Sequence, residues 1–339
     1  MDEKAARERY ADLEWAQPDW LVQARAWIEQ HARIAGELEQ VHLRPWSTVL
    51  RVPTADGDLF FKAASISGTF EPALTVLLAE RVPERTAEPV AVDLDRGWML
   101  TRDAGTRLRE LVQSAADLHH WASLLPAYAD LQIELASEVE ELLGLGVPDR
   151  RLSRVPGLLS TLLGDTEALM LDLPDGLTSE ELARMRAETP AIEAICAQLA
   201  GLAIPETIQH DDFHDGNVFV RDGRHVFFDW GDSCVSHPFH TLVVTLRAVA
   251  MRFDLEPGGS ELLGLRDAYL EPFGSFEQPE ALREAFGLAY RIGTIGRALA
   301  WYDYVRESDP RFRSELADAV PYGLQRFLEH GPIGTWRWE

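Results

Sequence analysis

The sequence predicts an α+β protein in which a small, mostly antiparallel sheet precedes a larger helical part. Three observations lead to that class. From Val41 to Thr101, short alternating apolar runs are separated by tight-turn signals such as Asp56-Gly57. From about Thr106 onward the apolar residues recur at helical spacing instead. One more pair of short apolar runs, split by Asp222-Gly223, sits within the helical part and follows a polar run from His210 to Asn217. The expected organisation is a helical extension over residues 1–36, a sheet with one helix over 37–105, and a helical part over 106–339 that contains the hairpin.

Taken in order, Trp20, Ala24, Trp27, Ile28 and Ile34 recur at helical spacing, with Pro18 at the start and Gly36 near the end. Strands are expected at 39–43, 48–52 and 59–63, the last two joined through Asp56-Gly57. Phe70 to Leu78 reads as a helix with Glu71 in its first turn and Pro72 tolerated there. Strands at 89–93 and 97–101 close the sheet-rich part. Leu118, Trp121, Leu125, Tyr128, Leu131 and Leu135 form an apolar stripe, with Pro126 a kink or restart. Thr178-Ser179-Glu180-Glu181 signals a capping box for a helix through Arg186, and Pro190 restarts a helix to about Gly201. Further helices are expected over 241–252, 279–305 and 312–329.

A net charge of −24 argues against nucleic acid as a partner, because phosphate binding needs a basic surface. Cys196 and Cys234 give no disulfide framework and no CxxC spacing, which fits a reducing compartment. The charged start Met1-Asp2-Glu3-Lys4 lacks a signal-peptide core, and no apolar run approaches a membrane span. A cytoplasmic location with no membrane partner is the expectation.

The chemistry concentrates at the central hairpin. With Asp222-Gly223 as the turn, counting outward puts Asn217 opposite Phe228, one place from Asp229. Cross-strand neighbours sit roughly 5 Å apart, so an amide oxygen and a carboxylate converge at the open end. Hard oxygens paired this way suit Mg²⁺, which takes its remaining ligands from phosphates and water. Asp212 would lie within reach of whatever the metal holds. Lys62, in a strand after two aromatics, is either an edge guard or a contact for the α- and β-phosphates of a nucleotide. Glu71 is either a helix-dipole partner or the group that orients Lys62.

A sheet carrying Lys62 and Glu71, then helices with a metal-chelating hairpin, is the order of a bilobal kinase. The run His210-x-Asp212-x-His214-x-x-Asn217, with Asp229-Trp230-Gly231-Asp232 beyond it, closely resembles the aminoglycoside phosphotransferase and choline kinase superfamily. The resemblance extends from about Val41 to Val305 and is sharpest at this motif. It implies a protein-kinase-like fold with a small sheet N-lobe and a helical C-lobe, with ATP bound between the lobes. It implies Asp212 as the catalytic carboxylate, Asn217 and Asp229 as Mg²⁺ ligands with Asp232 as a helper, and Lys62 paired with Glu71 on the phosphates. The hinge to adenine would be Thr101 to Ala104, including Asp103, and His210 would brace the loop. The acceptor would be a small molecule bearing a hydroxyl. An acidic pocket from Asp232, Asp254, Glu256 or Asp303 would favour an aminated acceptor such as an aminoglycoside, an amino-sugar or choline.

Two departures accompany the resemblance. Asp211 stands where the family usually has glycine, and the segment over the phosphates, Leu43 to Thr48, has no glycine, leaving Ser47 and Thr48 to donate hydrogen bonds. Three rival readings exist. One is a His/Asp metalloenzyme, from the zinc-pair spacing of His210 and His214. Another is a nucleotide-binding module without turnover. The third is a nucleophile at Cys234 near His237.

Overall fold

The computed structural model describes residues 3–64, 68–307, 311, 313 and 316–329. By its contacts the chain divides into two units, Met1–Thr106 with Phe219–Gly231 and Glu307–Phe312, and Arg107–Val218 with Asp232–Arg306 and Arg313–Glu339. The first begins with helices α1 (Glu3–Arg9) and α2 (Pro18–His31). Strands β1 (Glu39–Leu43), β2 (Ser47–Thr54) and β3 (Gly57–Ala64) follow, then helix α3 (Glu71–Arg81) and strands β4 (Pro89–Asp93) and β5 (Trp98–Arg102). The five strands pair antiparallel in the order β1-β2-β3-β5-β4.

The two-residue side-chain period of a strand decides what each face of this sheet does. Leu50, Val52, Leu59, Phe61, Ala63, Trp98 and Leu100 share one face and pack on Trp20, Ala24, Trp27 and Ile28 of α2. Trp20, Trp27, Phe61 and Trp98 meet edge-on with ring centroids 5.3 to 6.1 Å apart, the arrangement that aromatic quadrupoles favour. The N-terminal helix thus covers a sheet face that would otherwise meet water. Lys62, between Phe61 and Ala63, is forced to the opposite face, where Val49 and Met99 are its cross-strand neighbours. Helix α3 packs there, with the Thr75 hydroxyl 3.8 Å from the Met99 sulfur.

The hairpin turn between β2 and β3 differs from expectation by one place. Thr54 pairs with Gly57, so Ala55 and Asp56 form the turn and Gly57, at φ +110°, opens the next strand.

The chain then runs through the short strand β6 (Thr106–Arg107) and helices α4 (Leu108–Leu111), α5 (His119–Glu134), α6 (Val139–Gly144), α7 (Val155–Leu162) and α8 (Ser179–Ala200). Strand β7 (Thr207–Gln209) leads to the polar loop, and β8 (Val218–Arg221) and β9 (Arg224–Phe227) form the hairpin. Asp222 (φ +53°) and Gly223 (φ +75°) are both left-handed, the two-residue turn the dipeptide predicts. Strand β10 (Cys234–Ser236) pairs antiparallel with β7. Helices α9 (Thr241–Phe253), α10 (Ser260–Leu270), α11 (Pro279–Glu307) and α12 (Ala319–Glu329) complete the second unit.

Three helix expectations need correction. Pro126 and Pro190 lie inside unbroken helices, α5 and α8. Each helix buries large side chains on both sides of its proline, such as Leu125 and Tyr128 or Met185 and Ile192, and packing outweighs the lost hydrogen bond. Helix α10 is not readable from a stretch that holds Gly258, Gly259 and Gly264. Of the expected 312–329 helix, Ala319–Glu329 is seen, while Phe312 lies outside the described residues. The Thr178 capping box forms as read, Glu181 N–H donating to Thr178 Oγ1 at 3.1 Å and Thr178 N–H to Glu181 Oε2 at 2.8 Å. Among the described residues no helix is long and apolar enough to cross a membrane.

His237 and His240, in the turn after β10, are buried. Burial pushes both imidazoles below their ordinary value, 6.5, and His240 to about 3. The unfolded chain takes up these protons near pH 6.5 and the folded protein does not, so the stability each contributes is lost as pH falls below that value. Between pH 7.5 and 5.5 each histidine should cost about 1.4 kcal/mol. Urea unfolding at the two pH values should therefore show a shallower loss in His240→Gln than in wild type. Equal losses would contradict the assignment.

Candidate active site

In the first unit a single buried ammonium organises the site. Lys62 is 6% exposed and lies 2.7 Å from both carboxylate oxygens of Glu71, itself 1% exposed. Glu71 reaches it from the first turn of α3, where Pro72 needs no hydrogen-bond partner for its nitrogen. Asp229, just past β9, forms the second ion pair with Lys62. Burial alone would push the lysine down, but Asp229 and Glu71 together outweigh it and hold the ammonium above its ordinary value. Asp229 takes a left-handed backbone, φ +65°, and its side chain is half-exposed. A side chain at Gly231 would place Cβ 3.2 Å from Glu71 Oε2, so glycine there leaves the carboxylate room.

The other residues expected around a nucleotide divide by strand face. Ser47, opposite Ala64, shares the face of Lys62. Thr48 does not. Its hydroxyl donates to the His42 carbonyl at 2.9 Å and accepts from Gln40 Nε2 at 2.9 Å, which ties it to the irregular stretch of β1. Thr101 is buried on the Lys62 face, while Asp103 turns its carboxylate back to accept from Gly105 N–H at 2.9 Å. Gly105, at φ +101°, is required here, because a Cβ would sit 2.5 Å from the Val220 carbonyl. Glu80, the other acidic residue of α3, is exposed and pairs with Arg81.

The second unit holds the polar loop in place from several helices. The Tyr128 hydroxyl of α5 accepts from His210 N–H at 3.0 Å, and its ring stacks on Phe213 at 4.1 Å. Thr245 of α9 donates to the Phe213 carbonyl at 2.8 Å. Asp215 is gripped by Arg109 and Arg252. Asp211 adopts φ +60°, which accounts for the glycine usual at this place in the resembling superfamily and for tolerance of a short acidic side chain. Gly216 is not left-handed. Its role is space, since a Cβ would lie 2.7 Å from His214 Cε1.

Asp212 is half-buried. His214 Nδ1 accepts from Gly216 N–H at 2.9 Å, so the proton of the neutral ring is on Nε2, 3.3 Å from Asp212 Oδ2. Burial raises the Asp212 carboxyl, but the His214 hydrogen bond and the Arg297 charge outweigh it and hold it below the usual carboxylate range. His214 is in turn raised, its burial outweighed by Asp212. Asn217 directs Nδ2 to the backbone oxygen of Asp212 at 3.0 Å and to Oδ2 at 3.2 Å, which turns its amide oxygen the other way. Asp232 accepts from the Tyr304 hydroxyl at 2.7 Å and lies 3.5 Å from Arg297.

Sequence reasoning missed the cations. Arg150, which is buried, and Arg297, which is largely so, lie beside Asp211 at 3.4 and 3.3 Å. A signal existed for Arg297, a lone charge in the otherwise small and apolar run Ile292 to Ala300. The rival readings lose ground. His210 and His214 lie on a loop rather than a helix, and among the described residues no three or more His, Cys, Asp or Glu side chains gather as metal ligands. Burial pushes the Cys234 thiol up to about 12, which keeps it protonated.

Helices α9 to α12 enclose a cavity of about 610 Å³ within this unit, lined by Arg247, Tyr290, Arg297, Trp301 and Tyr322 among others. Asp232, Asp254, Glu256 and Asp303 are not in its wall, and Asp303 pairs with Arg150 at 2.9 Å.

A five-stranded antiparallel sheet followed by a mainly helical region is a kinase-like fold. Residues 62–285 match the family model described as the phosphotransferase enzyme family, and the chain belongs to that family. No curated protein sequence matches. Among solved structures, an amicoumacin kinase in complex with AMP-PNP, Ca²⁺ and Ami superposes with a TM-score of 0.58 at 12% identity, over 99% of this chain and 98% of that one. A Plasmodium vivax ethanolamine kinase gives 0.62 at 13% identity, over 98% and 95%. A type I macrolide 2′-phosphotransferase gives 0.57 at 13%, over 89% and 96%.

The Lys62–Glu71 pair makes a stability prediction. Lys62→Met removes the buried ammonium that pairs with the Glu71 carboxylate and should destabilise by roughly 3–5 kcal/mol. Adding Glu71→Leu should restore most of that loss in urea unfolding. A double variant as unstable as the single one would mean that the two charges do not depend on each other.

Proposed function

We propose that this protein is an ATP-dependent kinase that transfers the γ-phosphoryl group to a hydroxyl of a small-molecule acceptor. The observation that carries the reading is the buried Lys62 held between Glu71 and Asp229, since an ammonium fixed in direction and charge suits a polyphosphate. The amicoumacin kinase structure, with its AMP-PNP and Ca²⁺, supports the choice of nucleotide and divalent ion.

Phosphoryl transfer asks a protein mainly for alignment and charge neutralisation. Lys62 contacts the α- and β-phosphates. Asp212, kept ionised by His214 and Arg297, orients the acceptor hydroxyl and takes its proton as the new oxygen–phosphorus bond forms and the bond to the departing ADP oxygen breaks. Asn217 and Asp229 are the oxygen donors that would hold Mg²⁺, a hard-oxygen set suited to that ion, and the chemistry it supplies is neutralisation of phosphate charge. Asp232 supports this site through Tyr304 and Arg297, and Ser47 and Thr101 line the nucleotide face of the sheet. The cavity between α9 and α12 receives the acceptor, and its volume is that of an ordinary small-molecule site. The four carboxylates read from the sequence lie outside its wall, which holds Asp318 together with Arg247, Arg297 and Arg326, so a cationic acceptor is not required.

A coupled ATP-consumption screen over amines, sugars and antibiotics tests the reading. Asp212→Ala and Asp229→Ala should each lower transfer by on the order of 10² to 10⁴ while leaving the protein folded. Lys62→Ala should raise the KM for ATP. Wild-type turnover in either aspartate variant defeats the assignment. A thermal shift with Mg·ATP but no transfer to any acceptor would make the protein a nucleotide-binding module instead.

A further inference from the structure

Arg297 stands apart because a single, largely buried guanidinium touches four groups around the catalytic loop. Its Nη1 donates to the Asp211 backbone carbonyl at 2.6 Å and lies 3.3 Å from the Asp211 carboxylate and 3.5 Å from Asp232. Its Nη2 lies 3.9 Å from Asp212 Oδ1. The planar fork of arginine spans such a set, whereas a lysine ammonium is a single point. The carbonyl it holds belongs to a left-handed residue, so the same contact fixes the bend that aims the next side chain, Asp212.

The second cation, Arg150, makes the arrangement specific. It pairs with Asp211 at 3.4 Å and Asp303 at 2.9 Å, and Gln209 Nε2 donates to the remaining Asp211 oxygen at 3.0 Å. Arg150 and Gln209 thus share the Asp211 carboxylate with Arg297, whose guanidinium also reaches the backbone carbonyl, Asp212 and Asp232. Arg297 also forms part of the acceptor-cavity wall and lies over the Trp301 ring at 5.4 Å.

We propose that Arg297 is a positioning residue for phosphoryl transfer, a clamp from α11 that fixes the Asp211–Asp212 backbone and aims the Asp212 carboxylate at the acceptor hydroxyl. This rests on the kinase reading and adds a residue to it. A clamp acts on the transfer step and not on the nucleotide.

The test compares Arg297→Gln and Arg297→Lys with wild type, using an acceptor found in the coupled screen, Mg·ATP affinity by calorimetry, and thermal melting. Arg297→Gln should bind Mg·ATP within about twofold of wild type while kcat falls on the order of 10- to 100-fold. Arg297→Lys, which keeps the charge and loses the fork, should recover only part of kcat. Overturning results are a kcat within twofold of wild type in Arg297→Gln, or a fall in kcat matched by equal losses in nucleotide affinity and melting temperature, which marks a purely structural role. Should Arg297→Gln not fold, Arg297→Lys decides alone: a folded protein with kcat reduced at least about fivefold supports the clamp, and an unchanged kcat refutes it. Wild-type protein that turns over no acceptor refutes the kinase reading itself, an outcome separate from the variant comparison.

Discussion

Removing a charge from water costs several kcal/mol unless an opposite charge with good geometry comes with it. Each unit of this chain meets that constraint at a cluster of charged side chains. In the first, Lys62 can stay charged in a dry setting only because Glu71 and Asp229 flank it. In the second, Asp211 can stay buried only because Arg150 and Arg297 do the same for it. Neither cluster is chiefly a source of stability, since buried ion pairs often do no better than apolar replacements. What they contribute is direction. A charge with two fixed partners cannot swing, and phosphoryl transfer rewards groups that do not have to reorganise.

The backbone supports the same conclusion. Asp211 and Asp229 both lie in the left-handed region, which side chains generally avoid and which Asp and Asn tolerate best. Glycine would take that conformation at less steric cost but has no side-chain carboxylate to accept from its neighbours. By placing a carboxylate at residue 211 the chain takes on a new negative charge within a loop already rich in aspartate, and that charge must be answered. The two arginines are the answer, drawn from the segment before α7 and from α11. The departure at Asp211 and the presence of two arginines against it are thus one feature seen from two sides.

What the sequence made legible was local. Lys62 and Glu71 lie nine residues apart in a strand and the following helix, and the Asp222-Gly223 turn is a two-residue decision, so period and turn chemistry suffice for both. The role of Thr48 was misread because its hydroxyl is claimed by an irregularity in β1, and no pattern within β2 announces that. The prolines of α5 and α8 were misread because burial on the far side of each outweighs a missing hydrogen bond. Arg297 lies 86 residues from Asp211, and a contact at that separation leaves only an indirect trace, a charge where the helix should be apolar.

That trace has a geometric cause. A side chain at Gly293 would bring Cβ to 2.6 Å from Val243 Cγ2, and one at Gly323 to 2.9 Å from Ala298 Cβ, so glycine sets how closely α9 and α12 approach α11. Closer helices shorten the distance an arginine must cross to reach a loop held by α9 through Thr245. Arg297 is one helical turn beyond Gly293 and on the same side of α11, as i, i+4 spacing requires. The small residue permits the approach and the large cation uses it. A bulkier residue at 293 would therefore move the clamp away from Asp211 and Asp212 without touching either, which makes the position of the Asp212 carboxylate a property of helix packing as much as of the loop that carries it.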